Sequence, residues 1–162
     1  MRVWRIERAE HVDDALSGMG ARLFGGRWNS PGTSMVYTAS SIALAALERF
    51  VHAPRVDGIK LFYALGFDLD DELARGMVAA DPLPMGWRSR EPGADSQRWG
   101  DRWASSAASA AAAVPSTLLP LDVFNPRQEF NVLLNPESAA IKALRVSLKT
   151  PYAFDARMCK SA

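Results

Sequence analysis

Cysteine and histidine are nearly absent from these 162 residues, and their scarcity removes whole classes of chemistry. The single cysteine, Cys159, has no partner for an internal disulfide, so no oxidising compartment is implied. With only His11 and His52 beside it, no zinc site of the usual Cys/His spacing can be assembled, and no metal is expected. An excess of one charge is missing too. Nineteen Lys and Arg against 18 Asp and Glu leave a net charge of +1, which gives no electrostatic footprint for bulk nucleic-acid binding. Long apolar runs are also lacking. The longest, Ala107–Val114, is mostly alanine, is interrupted by Ser109, and falls far short of the roughly 18 residues of a membrane span. The charged start, Met1-Arg-Val-Trp-Arg-Ile-Glu-Arg, lacks the apolar centre of a signal peptide. The expectation is a cytoplasmic protein with no membrane segment.

What is present suits one folded domain over residues 1–162. Hydrophobic residues at 48% supply a core, and charged residues at 23% argue against disorder. Val3–Ile6 reads as a first strand and His11–Leu16 as a short helix closed by Gly18 and Gly20. Arg22–Gly32 is a turn-rich loop, and Met35–Thr38 is a second strand. Ser40 or Ser41 caps a helix to about His52, which Pro54 ends. Ile59–Phe67 alternates as a strand, Asp70–Gly76 makes a short helix, and Asp81–Ala94 is loop. Ser96 caps a long helix through about Ala113, stopped by Pro115 and weakened at Gly100 by about 1 kcal/mol relative to Ala. Thr117–Leu121, Phe130–Leu134 and Leu144–Leu148 read as strands, and Glu137–Ile141 as a helical turn. Strands outnumber a strand–helix–strand rhythm, so a mixed α+β fold is predicted rather than a doubly wound parallel sheet.

Four segments hold residues suited to chemistry. In Gly25-Gly-Arg-Trp-Asn-Ser-Pro-Gly32 the glycines permit a sharp turn from which Arg27 projects, and a guanidinium fork matches phosphate oxygens. Read alone, the spacing favours a plain surface loop whose Arg stacks on Trp28. Tyr37 precedes the helix bearing Glu48. There Leu44, Leu47, Phe50 and Val51 form one apolar arc, with Glu48 at its edge and Arg49 pointing the other way. A carboxylate at a core margin suits stabilisation of positive charge, or simply pairing with an arginine. Ser116 follows a proline and lacks both a nucleophile-elbow motif and a histidine base, so a helix-end turn accounts for it as well. Asn131 and Asn135 frame an apolar strand that ends in Asn-Pro, where asparagines bind ligands or cap turns. Trp4, Trp28, Trp87, Trp99 and Trp103 read as core or core-edge aromatics, and His52 as a helix-end residue.

The order of these segments is more specific than any one of them. Gly-Gly-Arg-Trp-Asn-x-Pro-Gly, Val-Tyr-Thr-Ala, Ala-Leu-x-x-x-Glu-x-Phe-Val-His, Gly-Asp-x-Trp, Val-Pro-Ser and Asn-x-Leu-Leu-Asn-Pro together resemble the RES-domain family, from about Trp4 to Arg157. The Arg, Glu and Ser of the family's name match Arg27, Glu48 and Ser116. The resemblance implies a toxin of a bacterial toxin–antitoxin pair, with a fold similar to that of ADP-ribosyltransferase toxins. It also implies a partner antitoxin of the Xre helix-turn-helix type. NAD⁺ would be a substrate rather than a cofactor, cleaved at the nicotinamide–ribose bond by phosphorolysis or hydrolysis, or used to ADP-ribosylate a protein.

By matched position, Arg27 is assigned to the pyrophosphate or to an attacking phosphate, and Glu48 to the ribose and its developing cation. Tyr37 is assigned to the nicotinamide or sugar site, and Ser116 and Asn135 to orientation of the substrate. Trp28 and Asn29 complete the binding loop. Two other classes compete. An RNA-targeting or nucleic-acid-binding toxin would draw on the arginines and tryptophans, but the near-zero net charge opposes it. A non-catalytic partner-binding domain would require Arg27 and Glu48 to lie far apart.

Overall fold

The polar and apolar residues of the N-terminus form an interior strand of the sheet. In the computed structural model, which describes residues 1–52, 61–106, 108–120 and 128–159, this strand is β1, Arg2–Arg8. The others are β2 (Val36–Ala39), β3 (Phe62–Asp68), β4 (Val78–Ala79), β5 (Ala111–Val114), β6 (Asn131–Leu134) and β7 (Leu148–Tyr152). They make one mixed sheet in the order β4-β5-β6-β2-β1-β3-β7, antiparallel throughout except for β4 with β5. Among the described residues, five α-helices accompany it: α1 (Met19–Phe24), α2 (Ile42–His52), α3 (Asp71–Arg75), α4 (Ala94–Ser106) and α5 (Ala139–Ala143). The fold is α+β, as expected.

Both faces of the sheet are covered, so alternate strand residues are buried on opposite sides. Val3, Val36, Leu65, Phe67, Val132 and Leu134 pack on one face, with Ile141 of α5. The other face carries two clusters. Trp28, Met35, Trp87 and Leu133 pack with Trp103 of α4 in one. Ile6, Ala39, Phe62 and Ala64 pack with Leu44, Ala45 and Ala46 of α2 in the other.

Between these two clusters the sheet forks. β1 and β3 stay in register from Arg2↔Asp68 to Arg8↔Phe62, whereas β1 meets β2 only at Trp4↔Ala39. Side chains satisfy the backbone groups that the fork leaves over. Arg5 Nη1 donates to the Tyr37 carbonyl at 3.2 Å, and the Arg8 N–H donates to Glu7 Oε1 at 3.0 Å. Arg5 Nε and Nη2 close on Glu7 Oε2 at 2.9 and 2.6 Å. An ion pair thus stands where ladder hydrogen bonds would otherwise run.

Several expected elements are different. The long helix ends at Ser106, and Ala111–Val114 is a strand with every residue buried. Ser106 Oγ donates back to the Trp103 carbonyl, and Ser109 Oγ to the Gly76 carbonyl, which draws the chain out of the helix and toward β4. Alanine's helix propensity is too weak to override a place between two strands. Gly100 is a close approach rather than a weakness: a Cβ there would lie 1.7 Å from the Trp28 carbonyl oxygen.

Residues 117–120 form a turn on Ser116, whose Oγ accepts the Leu118 N–H, and not a strand; Leu121 lies outside the described residues. The last strand begins at Leu148 rather than Leu144, and carries Pro151 on the sheet edge, where a missing N–H is tolerated. His11–Leu16 is a series of turns, and α1 starts only after Gly18. The proposed loop from Arg22 therefore gives its first three residues to α1. Pro54 and Ile59 lie outside the described residues, and β4 had no sequence signal.

The buried side of α2 also differs. Leu44, Ala45 and Ala46 pack inward, while Leu47 and Val51 are exposed. Small alanines let the helix sink close to Ala39 and Ala64. One turn on, Glu48 and Arg49 follow Leu44 and Ala45 on the same side, so Arg49 also faces the sheet.

Candidate active site

α2 places Glu48 above the fork. Ser41 caps the helix, its Oγ accepting the Leu44 N–H at 3.1 Å, as the sequence suggested. The Glu48 side chain is about one-quarter exposed. Its Oε1 accepts from Ser116 Oγ at 2.7 Å and from Asn131 Nδ2 at 2.5 Å. Its Oε2 has no hydrogen bond among the described residues, and lies 4.0 Å from His52 Nε2. One oxygen is therefore clamped and the other presented. Ser116 is buried and bonded to a carboxylate rather than to a histidine, so it positions Glu48 and is not set up as a nucleophile.

Within electrostatic reach of Glu48 stands Arg27. Its loop is built from the inside. The Asn29 side chain is fully buried; its Nδ2 donates to the carbonyls of Ala21, Ser30 and Thr33, and its Oδ1 accepts from the Tyr37 hydroxyl at 2.7 Å. That hydroxyl also accepts the Trp28 N–H at 3.0 Å. Gly26 has to be glycine, since a Cβ would fall 2.5 Å from the Tyr37 oxygen. Trp28 is buried between Trp87, stacked at 6.5 Å, and Trp99, edge-on at 5.5 Å. The guanidinium of Arg27 then reaches a strap of three carbonyls: Trp87 at 2.7 Å and Ser89 at 2.8 Å from Nη1, and Arg90 at 3.2 Å from Nη2. Five N–H groups minus these three leave the Nε–H and one Nη2–H for a ligand.

Electrostatics link the two sides. Burial pushes the pKa of Arg27 down, and the charge of Glu48 pushes it back up, ahead of Tyr37 and Glu91. Burial pushes the Tyr37 phenol well above its ordinary value, although the Trp28 N–H opposes this. Tyr37 therefore remains a hydrogen-bond donor at neutral pH.

The structure brings Arg27, Tyr37, Glu48 and Ser116 into one region. Trp28 and Asn29 lie beneath it as the frame of the Arg27 loop. Asn135 is elsewhere. It follows the far end of β6, about 13 Å along the strand from Asn131, where its Nδ2 donates to the Ala104 carbonyl and its Oδ1 accepts the Glu137 N–H. Asn131 holds the place that Asn135 was expected to fill. Its Oδ1 is buried without a partner among the described residues. The signal available was its position as the first residue of β6, on the face opposite Val132; which end of the strand lay under Glu48 was not readable. Among the described residues, no group of three His, Cys, Asp or Glu side chains could hold a metal ion. No helix among them is long and apolar enough to cross a membrane.

Known proteins match this sequence over nearly the full chain. The sequence profile of the RES domain matches residues 2–155. A Prs ADP-ribosylating toxin of Sphingobium is 37% identical over 165 residues, covering 98% of this chain and 97% of that protein. Proteins named Toxin Res from Photorhabdus laumondii and Yersinia enterocolitica are 31% and 32% identical; each alignment covers at least 98% of this chain and 99% of the relative. A shared profile of that extent, together with relatives matched end to end, makes this chain a member of the RES domain family.

Proposed function

We propose that this chain is the toxin of a bacterial toxin–antitoxin pair, and that its cleft breaks the nicotinamide–ribose bond of NAD⁺. The observation that carries the reading is the Glu48 carboxylate, clamped on one oxygen by two neutral donors and open on the other, opposite Arg27. As the C–N bond breaks, its electron pair leaves with nicotinamide and the ribose gains oxocarbenium character. A carboxylate whose charge no cation has taken up stabilises that cation. Nicotinamide departs as a neutral molecule, so no strong general acid is required. Arg27 offers two N–H groups to a phosphate of the substrate. Tyr37 walls the site with its ring, while its hydroxyl holds the loop.

Transfer of the ADP-ribosyl unit to a protein is the second reading, favoured by the relative named as an ADP-ribosylating toxin. An Xre-type helix-turn-helix antitoxin that covers the cleft is the expected partner, and a saturated complex should consume no NAD⁺. The test is NAD⁺ loss by purified protein, with and without inorganic phosphate, read by product analysis. ADP-ribose 1″-phosphate marks phosphorolysis, free ADP-ribose marks hydrolysis, and label retained on protein marks transfer. Wild-type protein that leaves NAD⁺ untouched, alone and with cell extract, overturns all three.

A further inference from the structure

α2 straddles the fork. Glu48 serves the β5–β6 side, and Arg49, about 100° further round the helix, serves the β1–β3 side. The Arg49 guanidinium lies over the Phe62 ring, 5.6 Å from its centroid. It is half-buried, its Nε is fully enclosed, and it makes no hydrogen bond or ion pair among the described residues. A guanidinium carries five N–H groups, and leaving them unmet away from water is costly.

Among the described residues, the carboxylate acting on Arg49 is Glu7, and both its oxygens are occupied, by the Arg5 fork and by the Arg8 N–H. Arg8 is little better served. Its Nε is enclosed without a partner among the described residues, and its Nη1 lies 3.5 Å from the exposed Glu10. Three arginines therefore gather at the fork, where the buried carboxylate neutralises one. Burial depresses the pKa of Arg49, Glu7 raises it, and Arg8 and Arg5 depress it further. The group nevertheless stays charged at neutral pH.

We propose that Arg49 and Arg8 form a binding site for a phosphate group at the fork between β1 and β2. Two half-buried cations, Arg49 with no ion pair among the described residues and Arg8 held only by the exposed Glu10 at 3.5 Å, match the charge of a phosphate dianion, whose several oxygens can accept from two guanidinium groups at once. The ring of Phe62 supports Arg49 from below, which limits its side-chain freedom before the ligand arrives. The phosphate comes either from solution or from a nucleotide lying in the cleft. The proposal rests on the contacts of Arg49 and Arg8, and does not require that NAD⁺ be the substrate.

The experiment is titration of the purified protein with inorganic phosphate, without NAD⁺ and at constant ionic strength, followed by phosphorus NMR line width. Wild-type protein should show saturable one-site binding. Arg49→Gln should weaken it about tenfold or more, the scale of losing charge-assisted hydrogen bonds. Arg8→Gln should weaken it to a smaller extent. Arg49→Lys, which keeps the charge but not the fork, should lie between. If Arg49→Gln fails to fold, as judged by circular dichroism, Arg49→Lys and Arg8→Gln carry the test.

A second titration, of Glu48→Gln protein with NAD⁺ present, separates the sources. Unchanged phosphate affinity marks a site for free phosphate, and competitive displacement marks a site for the nucleotide's own phosphate. Absence of saturable binding to the wild type, or equal affinity in all variants, overturns the proposal.

Discussion

Two carboxylates flank the fork in the sheet, and they are held by opposite means. Glu7 is buried on β1, with the Arg5 guanidinium on one oxygen and a backbone N–H on the other. Glu48 is fixed as firmly, but by a hydroxyl and an amide. The difference is one of charge. A salt bridge uses up the field of its carboxylate, so Glu7 can do little beyond holding the Arg5 guanidinium that reaches the Tyr37 carbonyl of β2. Neutral donors orient a carboxylate and leave its negative charge in place for a cation that appears only during reaction. Hydrogen bonds in the two places are of similar length; the partner's charge separates a structural acid from one suited to catalysis.

Four substitutions sharpen this comparison. Glu48→Gln should lower NAD⁺ turnover on the order of a hundredfold or more, about 3 kcal/mol of transition-state stabilisation. Its urea unfolding midpoint should stay near that of the wild type. Near-normal turnover in that variant would sink the assignment of Glu48.

Glu7→Gln should do the reverse, costing roughly 3 kcal/mol of folding stability by leaving Arg5 without its counter-charge. Burial alone would raise the carboxyl of Glu7, but Arg5, the Arg8 N–H and the charge of Arg49 hold it below its ordinary value. Its contribution to stability is therefore present above the unfolded value of about 4.3 and is lost as pH falls through the lower folded value. Acid unfolding monitored by circular dichroism should show that loss in the wild type and much less of it in Glu7→Gln.

Gly100→Ala should cost about 2 kcal/mol through overpacking against the Trp28 carbonyl, and should reduce substrate affinity by displacing the Arg27 loop. An unchanged melting temperature would contradict the close approach of α4 to that loop. Smallest is Ser116→Ala, which removes one of two donors to Glu48 and should lower kcat by about tenfold with KM little altered. A larger fall in kcat than that of Glu48→Gln would mean that Ser116 acts directly on the substrate.

Much of the frame was legible because it depends on local chemistry. Ser41 and Asp70 cap their helices through their own side chains, and alternation marks Val3–Ile6 as a strand wherever it ends up. Gly25, Gly26 and Asn29 announce a tight loop, and its tightness is what aims Arg27. The wrong readings share one cause. Ala111–Val114 reads as helix because alanine favours helix when nothing else decides, and here two neighbouring strands decide. Leu47 and Val51 read as core because leucine and valine usually are, yet α2 sinks by its alanines.

By itself, the sequence determined the α+β class, the capped helix carrying Glu48, the turn carrying Arg27, and the family through the order of its motifs. The helix and the turn are each written within a dozen residues of chain, and the class and the family in the order of such segments along it. Only the tertiary structure decided that the sheet forks at β1 and β2, that Asn131 rather than Asn135 meets Glu48, and that Glu7 is neutralised while Arg49 is not. The fork and the Asn131–Glu48 contact depend on register and on contacts between residues 32 to 83 positions apart, and Glu7, though paired with an arginine two positions away, is buried by the fold around it. A one-residue slip reverses every side chain on a strand, and no local pattern encodes which end of a strand will lie beneath a helix.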